Sequence, residues 1–406
     1  MVASRLKDPA SHLIQGHGVN NSILPIAVIY GANASGKSNF LEAWSFFRHA
    51  ILNSHRVSGD HAEIPRQPFR LDPEMADSPS RFDCDVIIQG KRHHYGFVVN
   101  NERIMEEWLY VFPEGRRQIW FHRNHENQPE FSFGANLKGK KQVLSEFTAP
   151  NSLFLTTAAT NQHEQLMLVR NYFRDNQHIL SFALPENPSQ LLPRKHLEND
   201  AKRQRIVHFL AQGDTGIIDL HLKTVPIPEK VREQLRKEME KLPGNTTQDI
   251  PKELEELELG HRGKFEQPIF LDLHLESQGT LSLLHIMGPI LDALDRGSTL
   301  WIDELSANIH PLLARKIVAL FGSPATNPKG AQLICATHDT HLLSGTLLRR
   351  DQIWFTEKDQ EGATHLYPLT DYHVRAGENL ERDYLQGRFG AIPHLGSLEQ
   401  LLGGPT

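Results

Sequence analysis

The sequence predicts an α/β protein whose parallel sheet is split in sequence by a long insertion. Three observations predict it. An apolar run over residues 23–30 enters a loop bounded by Gly31 and Gly36, and a helical pattern follows over 39–51. Far down the chain a second apolar run, 299–302, ends on two adjacent carboxylates, Asp303 and Glu304. Between these two segments the apolar period is first two, as in strands, and then nearer that of helices.

The whole chain sets the bounds. Its 406 residues leave room for about two to three domains. A hydrophobic content of 39% with 23% charged residues suits a soluble globular protein, and a net charge of −6 announces no polyanion partner, although a local basic groove stays open. Cys84 and Cys335 stand apart, which excludes a disulfide framework and a cysteine zinc site and points to a reducing cytoplasm. No run approaches the ~18 apolar residues of a transmembrane helix, so no membrane partner is expected, and the first residues lack a secretory pattern. The 23 histidines are scattered, and the pair His93–His94 reads as strand or surface residues rather than ligands.

Each element has its own signal. The run at 23–30 reads as a buried parallel strand. Leu41, Trp44, Phe47 and Ala50 then fall at helical spacing. Over 81–123, Phe82, Cys84, Val86 and Ile88 alternate with Asp83, Asp85 and Ile87. Tyr95, Phe97 and Val99 repeat the pattern, as do Trp108, Tyr110 and Phe112, and 118–122 supplies a fourth strand. The turns Gln89-Gly90, Asn100-Asn101 and Pro113-Glu114-Gly115 make this an antiparallel meander. Residues 153–275 read mainly as helices with long polar connections. The clearest covers 229–242, with Val231, Leu235 and Met239 on one stripe, and 241–252 reads as a loop. From 278 to 355 the pattern is helix 281–294, strand 299–302, helix 312–321, strand 332–336, which is α/β again. The expected division is an N-terminal lobe over 1–150, a mainly helical insertion over 151–264, and a C-terminal lobe over 265–406.

The loop residues Gly31, Ala32, Asn33, Ala34, Ser35, Gly36, Lys37 and Ser38, followed by Asn39, fit G-x-x-x-x-G-K-[ST]. In that motif backbone N–H groups surround the phosphates of a nucleotide such as ATP, Lys37 bridges the β- and γ-phosphates, and Ser38 offers its oxygen to Mg²⁺. The helix N-terminus beyond adds its dipole. A strand-end carboxylate at Asp303 suits the Mg²⁺ shell, and Glu304 suits a general base for water. Alone, an Asp-Glu pair closing a strand is commonplace; behind a phosphate loop it is specific. His338 closes the strand over 332–336, where an imidazole could sense the γ-phosphate.

This order of motifs resembles the ABC-type ATPases, including their SMC-like and recombination-repair branches. The fold class the resemblance implies is α/β: an ABC-type P-loop ATPase head with an antiparallel β-meander and a helical insertion. Glu276-Ser277-Gln278-Gly279-Thr280 is similar to the class signature. The resemblance implies that Ser277 and Gly279 contact the γ-phosphate held by another subunit, whereas in isolation Ser277 reads as a helix N-cap. Residues 306–309 match the loop that touches the partner in such dimers. Gln67, before Pro68-Phe69, is the candidate for the glutamine switch that reaches the metal.

A narrower resemblance, to the RloA/AbiL-type ATPases of bacterial defence islands, rests on three segments. These are Asp303-Glu304-Leu305 with Asn308-Ile309-His310-Pro311, Asn151-Ser152-Leu153-Phe154-Leu155, and Tyr384-Leu385-Gln386-Gly387-Arg388-Phe389-Gly390-Ala391-Ile392-Pro393. Relatives of that group include the ATPase subunits of the PARIS and Septu systems and the ATPase half of the OLD nucleases. The resemblance implies ATP hydrolysis at sites shared between copies in a dimer or higher homo-oligomer. It further implies an effector such as a TOPRIM or HNH nuclease under the ATPase's control, and leaves a DNA or phage component open. An SMC-like ATPase of DNA repair is the alternative, and a transporter subunit the third. Two departures stand out. About 70 residues follow His338, too few for a TOPRIM domain. Residues 1–4 look like the middle of the region with which relatives begin, where an Asn-Phe-Arg-like element helps to hold adenine; either the true start lies upstream of Met1 or this protein lacks that strand, and the adenine contacts stay open.

Overall fold

Strand β1 (Ile26–Gly31) is buried along its whole length. Six apolar or small residues with no polar face suit a strand covered on both sides. In this computed structural model the described residues are 1–6, 8, 13–14, 22–56, 63–180, 184–185, 190–239, 250–265, 267–375 and 377–393. Most of the loop expected over 241–252, and the last three residues of the helix expected over 229–242, lie outside them.

After β1 come α1 (Lys37–Asn53) and the short α2 (Pro73–Asp77). The meander follows: β2 (Ser80–Ile88), β3 (Lys91–Val99), β4 (Ile104–Phe112), β5 (Gln118–Asn124) and β6 (Phe131–Phe133), hydrogen-bonded in chain order. Gln89 and Gly90, both at positive φ, make the β2–β3 turn, the conformation a tight hairpin needs. Helices α3 (Lys141–Glu146), α4 (Phe154–Thr160) and α5 (Glu164–Asp175) lead to β7 (Gln177–Leu180). Then come α6 (Arg194–Leu197), α7 (Asp200–Gln212), β8 (Ile217–Pro226), α8 (Glu229–Met239), β9 (Glu253–Arg262) and β10 (Pro268–Asp272). The long α9 (Gln278–Arg296) returns the chain to β11 (Thr299–Ile302), α10 (Pro311–Gly322), β12 (Gln332–Ala336), β13 (Ile353–Lys358), β14 (Thr364–Pro368) and α11 (Leu380–Leu385).

The main sheet has the order β14-β13-β1-β12-β11-β7. Its strands are parallel except β14, which is antiparallel to β13. Helix α1 packs on this sheet through Leu41 and Trp44. The Trp44 ring stacks on Trp301 of β11 at 4.6 Å, and the Trp301 indole N–H donates to Gln177 Oε1 of β7 at 3.1 Å. The other face of α1 carries Phe47 and Ile51 into a core shared with Tyr95, Phe97 and Val99 of β3 and with Phe154 and Phe173. One helix therefore joins the parallel sheet to the meander. The opposite face of the meander is covered by its own arginines: Arg81 lies over Trp108 at 4.5 Å, Arg92 over Phe112 at 3.7 Å and Arg117 over Tyr110 at 3.9 Å.

The segment Asn151-Ser152-Leu153-Phe154-Leu155 forms the entry to α4. Glu107 of β4, fully buried, accepts hydrogen bonds from Phe154 N (2.6 Å), Leu155 N (3.0 Å) and the Tyr95 hydroxyl (2.9 Å). A carboxylate at a helix N-terminus satisfies amides that have no partner within the helix. Burial raises the Glu107 carboxyl above its ordinary range, against the pull of those amides and of Arg123. Arg123, itself buried, donates to Glu130 and to the Ser152 carbonyl at 2.8 Å.

The chain divides into two compact units, 1–180 with 293–306 and 314–406, and 181–292 with 307–313. The division differs from the expected boundaries at 150 and 264. Helices α4 and α5 belong to the first unit because β7 pairs with β11. The insertion expected to be mainly helical over 151–264 also holds β8 and β9, which form a three-stranded antiparallel sheet with β10 just beyond it. Glu253-Leu254-Glu255-Glu256-Leu257-Glu258 is rich in helix formers. Pairing with β8 overrides that propensity: Leu257 and Leu259 are buried, and Glu258 meets Lys223 across the ladder at 2.8 Å. Among the described residues no helix is long and apolar enough to cross a membrane.

Glu107→Ala strands two buried helix amides and the Tyr95 hydroxyl. We expect it to lower the unfolding free energy by about 3–5 kcal/mol in chemical denaturation. Leu254→Ala, at an exposed position, changes it by less than about 0.5 kcal/mol.

Candidate nucleotide site

The loop between β1 and α1 is shaped by close approach. A Cβ on Gly31 would overlap Ser35 Oγ and Thr356 Oγ1, and one on Gly36 would lie 2.6 Å from Thr364 Cγ2. Gly36 also stands at φ 108° and Ala34 at φ 61°. Glycine is the residue that accepts such backbone geometry at no steric cost. The two threonines are the loop's scaffold. Ser35 Oγ and Thr356 Oγ1 of β13 are 2.7 Å apart, and Thr364 Oγ1 of β14 donates to Ser35 O at 3.0 Å. Sequence reading missed both, and no local signal could have found them, since they lie 321 and 329 residues from Ser35.

Gly36 is the N-cap of α1. The first amides of the helix, at Lys37, Ser38 and Asn39, have no acceptor one turn earlier, and the helix dipole is positive there. Ser38 and Asn39 are exposed at this mouth, as is Asn33, with Ala32 half-buried beside it. Lys37 is buried. Its ammonium donates to Gly31 O at 2.9 Å and Ala32 O at 3.0 Å, which leaves one of its three protons uncommitted. Burial pulls its pKa down, and the carboxylates of Asp303 and Glu304 pull it back up.

Asp303 follows β11, and its amide donates to Leu180 O at 3.3 Å. Its Oδ1 is buried without a hydrogen-bond partner among the described residues. A buried carboxylate oxygen left open beside a phosphate loop fits a metal shell, with the exposed Ser38 hydroxyl as the second protein oxygen. Glu304 is exposed and holds φ 54°, a left-handed conformation that costs a non-glycine residue about 1–2 kcal/mol. His338 follows β12 and is exposed at its edge. Partial burial and then the Lys37 charge lower its pKa, while Glu304 and Asp303 oppose them. The structure thus gathers Lys37, Asp303, Glu304 and His338 into one electrostatic neighbourhood.

It does not gather all the candidates. Gln67 is exposed in an irregular stretch beside the buried Arg66, which is tied to Asn101, Ser78, Ser80 and Ala76. Among the described residues no hydrogen bond joins Gln67 to the loop or to Asp303. Ser277 and Gly279 belong to the second unit. Ser277 Oγ accepts from Thr280 N at 3.1 Å and is the N-cap of α9. A Cβ on Gly279 would stand 2.8 Å from the Asn308 carbonyl oxygen, so the segment that resembles a signature packs against the loop over 307–309. Glu276 is held by His261 of β9 at 2.6 Å.

The model of one protein family, described as "AAA domain, putative AbiEii toxin, Type IV TA system", matches residues 26–344, from β1 past His338. The chain belongs to this family. It is a P-loop ATPase head, and the loop at 31–38 lies within the matched residues. Among solved structures, the SmcHead bound to the C-winged helix domain of ScpA is similar at 13% identity and a TM-score of 0.34, over 89% of this chain and 97% of that one. The cbiO1 protein of Clostridium perfringens, part of the ABC transporter complex cbiONQ, is similar at 15% identity and a TM-score of 0.21, over 58% and 76%. Neither likeness adds to the family assignment at those scores. No curated protein matches the chain.

In this ATPase head the segment from Tyr384 to Pro393 is a plug. Phe389 is fully buried and stacks on Phe355 of β13 at 5.7 Å, Tyr384 stacks on the same ring at 5.6 Å, and Tyr30 of β1 lies 5.8 Å from Tyr384. Gly387, Gly390 and Ala391 turn the chain at positive φ, and the Tyr384 hydroxyl donates to Ala391 O at 3.0 Å.

The neighbourhood predicts signs that a titration can read. In proton NMR the His338 imidazole should titrate below its ordinary value of about 6.5. Lys37→Met removes a charge that holds it down, so the midpoint rises. Glu304→Gln removes one that holds it up, so the midpoint falls. A midpoint indifferent to both substitutions would separate these residues.

Proposed function

We propose that this P-loop ATPase hydrolyses ATP at composite sites between copies of itself and controls a separately encoded effector, in the manner of the antiphage ATPases its motifs resemble. The observation that carries the hydrolytic part is the convergence of Lys37, Asp303, Glu304 and His338 on one loop. Lys37 neutralises phosphate charge. Ser38 and Asp303 are the residues that would hold a Mg²⁺ ion, which supplies charge neutralisation at the β- and γ-phosphates. Glu304, exposed and in no ion pair among the described residues, takes the proton of the attacking water. His338, kept neutral, donates a hydrogen bond to the γ-phosphate without adding a second charge beside Lys37.

The composite part is supported by the motif order and by the local form of the signature. Ser277 Oγ, at the start of α9, lies beside the exposed Gln278 and the bare backbone of Gly279, and amides at a helix start suit an incoming phosphate. Control of an effector, such as a TOPRIM or HNH nuclease, rests on the resemblance of the three segments quoted above.

The test is the mass of Glu304→Gln by light scattering with and without ATP–Mg²⁺. We expect turnover to fall by at least about 100-fold while ATP stays bound and the mass rises, or a preformed assembly tightens. Ser277→Arg should abolish the ATP-dependent change. A protein that binds ATP, hydrolyses it at full rate and remains a monomer would refute composite sites.

A further inference from the structure

We propose that Thr337 is a positioning residue for hydrolysis, whose hydroxyl locks the loop after Glu304 to the loop that carries His338. The inference rests on the hydrolytic reading above and extends it to a residue outside the motif set. Thr337 is fully buried at the end of β12. Its backbone N–H donates to Ile29 O of β1 at 3.1 Å. Its hydroxyl oxygen accepts the N–H of Asp339 at 3.0 Å and shares a hydrogen bond of 2.6 Å with Ser306 Oγ. The residues bonded to this one hydroxyl therefore lie just past His338 and two positions past Glu304.

The geometry gives that hydroxyl a task. Glu304 sits in a left-handed conformation, and such strain persists only where the surroundings over-determine it. Two crossings from β12 supply the constraint: Leu305 N donates to Ala336 O at 3.1 Å, and Ser306 Oγ meets Thr337 Oγ1. On the other side, the His338 loop is held from outside by Thr340 Oγ1 donating to Glu381 at 2.7 Å and by Arg315 donating to the His341 carbonyl at 2.7 Å. Asp339 closes the turn by accepting from His341 N at 3.0 Å. Those bonds fix the loop as a body. The Thr337 hydroxyl sets its distance from Glu304. Valine keeps the shape of threonine but leaves the Asp339 amide and the Ser306 hydroxyl without this partner. Serine keeps the hydroxyl.

The experiment compares wild type, Thr337→Val, Thr337→Ser, Ser306→Ala and the Thr337→Val/Ser306→Ala double variant, each as the full chain with ATP and Mg²⁺. Phosphate release, ATP affinity and thermal unfolding are measured on each. We expect Thr337→Val to lose about tenfold in kcat with KM, ATP affinity and unfolding temperature near wild type, and Thr337→Ser to restore most of the rate. Ser306→Ala loses less, since Thr337 still holds Asp339. The double variant is no slower than Thr337→Val, because both changes remove one shared interaction. Wild-type kcat in Thr337→Val overturns the proposal and leaves the hydrolytic reading standing, as do losses that multiply in the double variant. A parallel loss of affinity and stability that serine does not restore overturns it too. A wild-type chain that binds ATP and releases no phosphate overturns both.

Discussion

A buried ammonium organises this ATPase head. Removing the Lys37 charge from water is unfavourable unless the protein supplies oxygen acceptors and opposite charge. The loop supplies acceptors through the Gly31 and Ala32 carbonyls, and β11 supplies charge through Asp303 and Glu304. The loop can fold back to offer those carbonyls only because Gly31 and Gly36 leave room for the scaffold threonines of β13 and β14. The carboxylates act on the ammonium because β12 alone stands between β1 and β11 in the sheet. Requirements on five strands thus meet at one side chain.

The same convergence explains why the sheet is assembled from distant parts of the chain. Helix α1 begins at Lys37, and its Trp44 stacks on Trp301, two residues before Asp303. Its other face packs under the meander through Phe47. Any shift of α1 would move the phosphate loop, the acidic strand and the meander core together. Glu107 holds the start of α4 from inside that core, and the aromatic segment stacked on Phe355 lies against β13 of the parallel sheet. The second unit has its own sheet and carries Ser277 and Gly279 at the start of α9.

Much of this was legible in the sequence wherever a segment's own pattern decides its structure. The strands at 299–302 and 332–336 stand where short apolar runs bounded by turns or charges place them, and the alternation over 81–123 becomes β2 to β5. The phosphate loop was legible because its chemistry demands fixed residues at fixed spacing. What escaped depends on partners far away. Phe131–Phe133 is too short to show a period, and it becomes β6 because Phe121, His122 and Arg123 pair with it. The Glu- and Leu-rich stretch of β9 carries helical propensity that only its register with β8 overrules. Thr356, Thr364 and Thr337 are ordinary strand residues until the fold sets their hydroxyls beside Ser35 and Ser306. Ser277 is seen as the helix N-cap that its position in the sequence also allowed.

The account stands on Lys37 as the charge around which the site is built, and calorimetric titration with ATP and Mg²⁺ tests that most directly. Wild type should bind, and Lys37→Ala, with an unchanged unfolding profile, should lose affinity by at least about 100-fold, the loss expected when a charged hydrogen-bonding group is removed from a buried site. Equal affinity in the two proteins would contradict the account, because it would place nucleotide binding away from this loop.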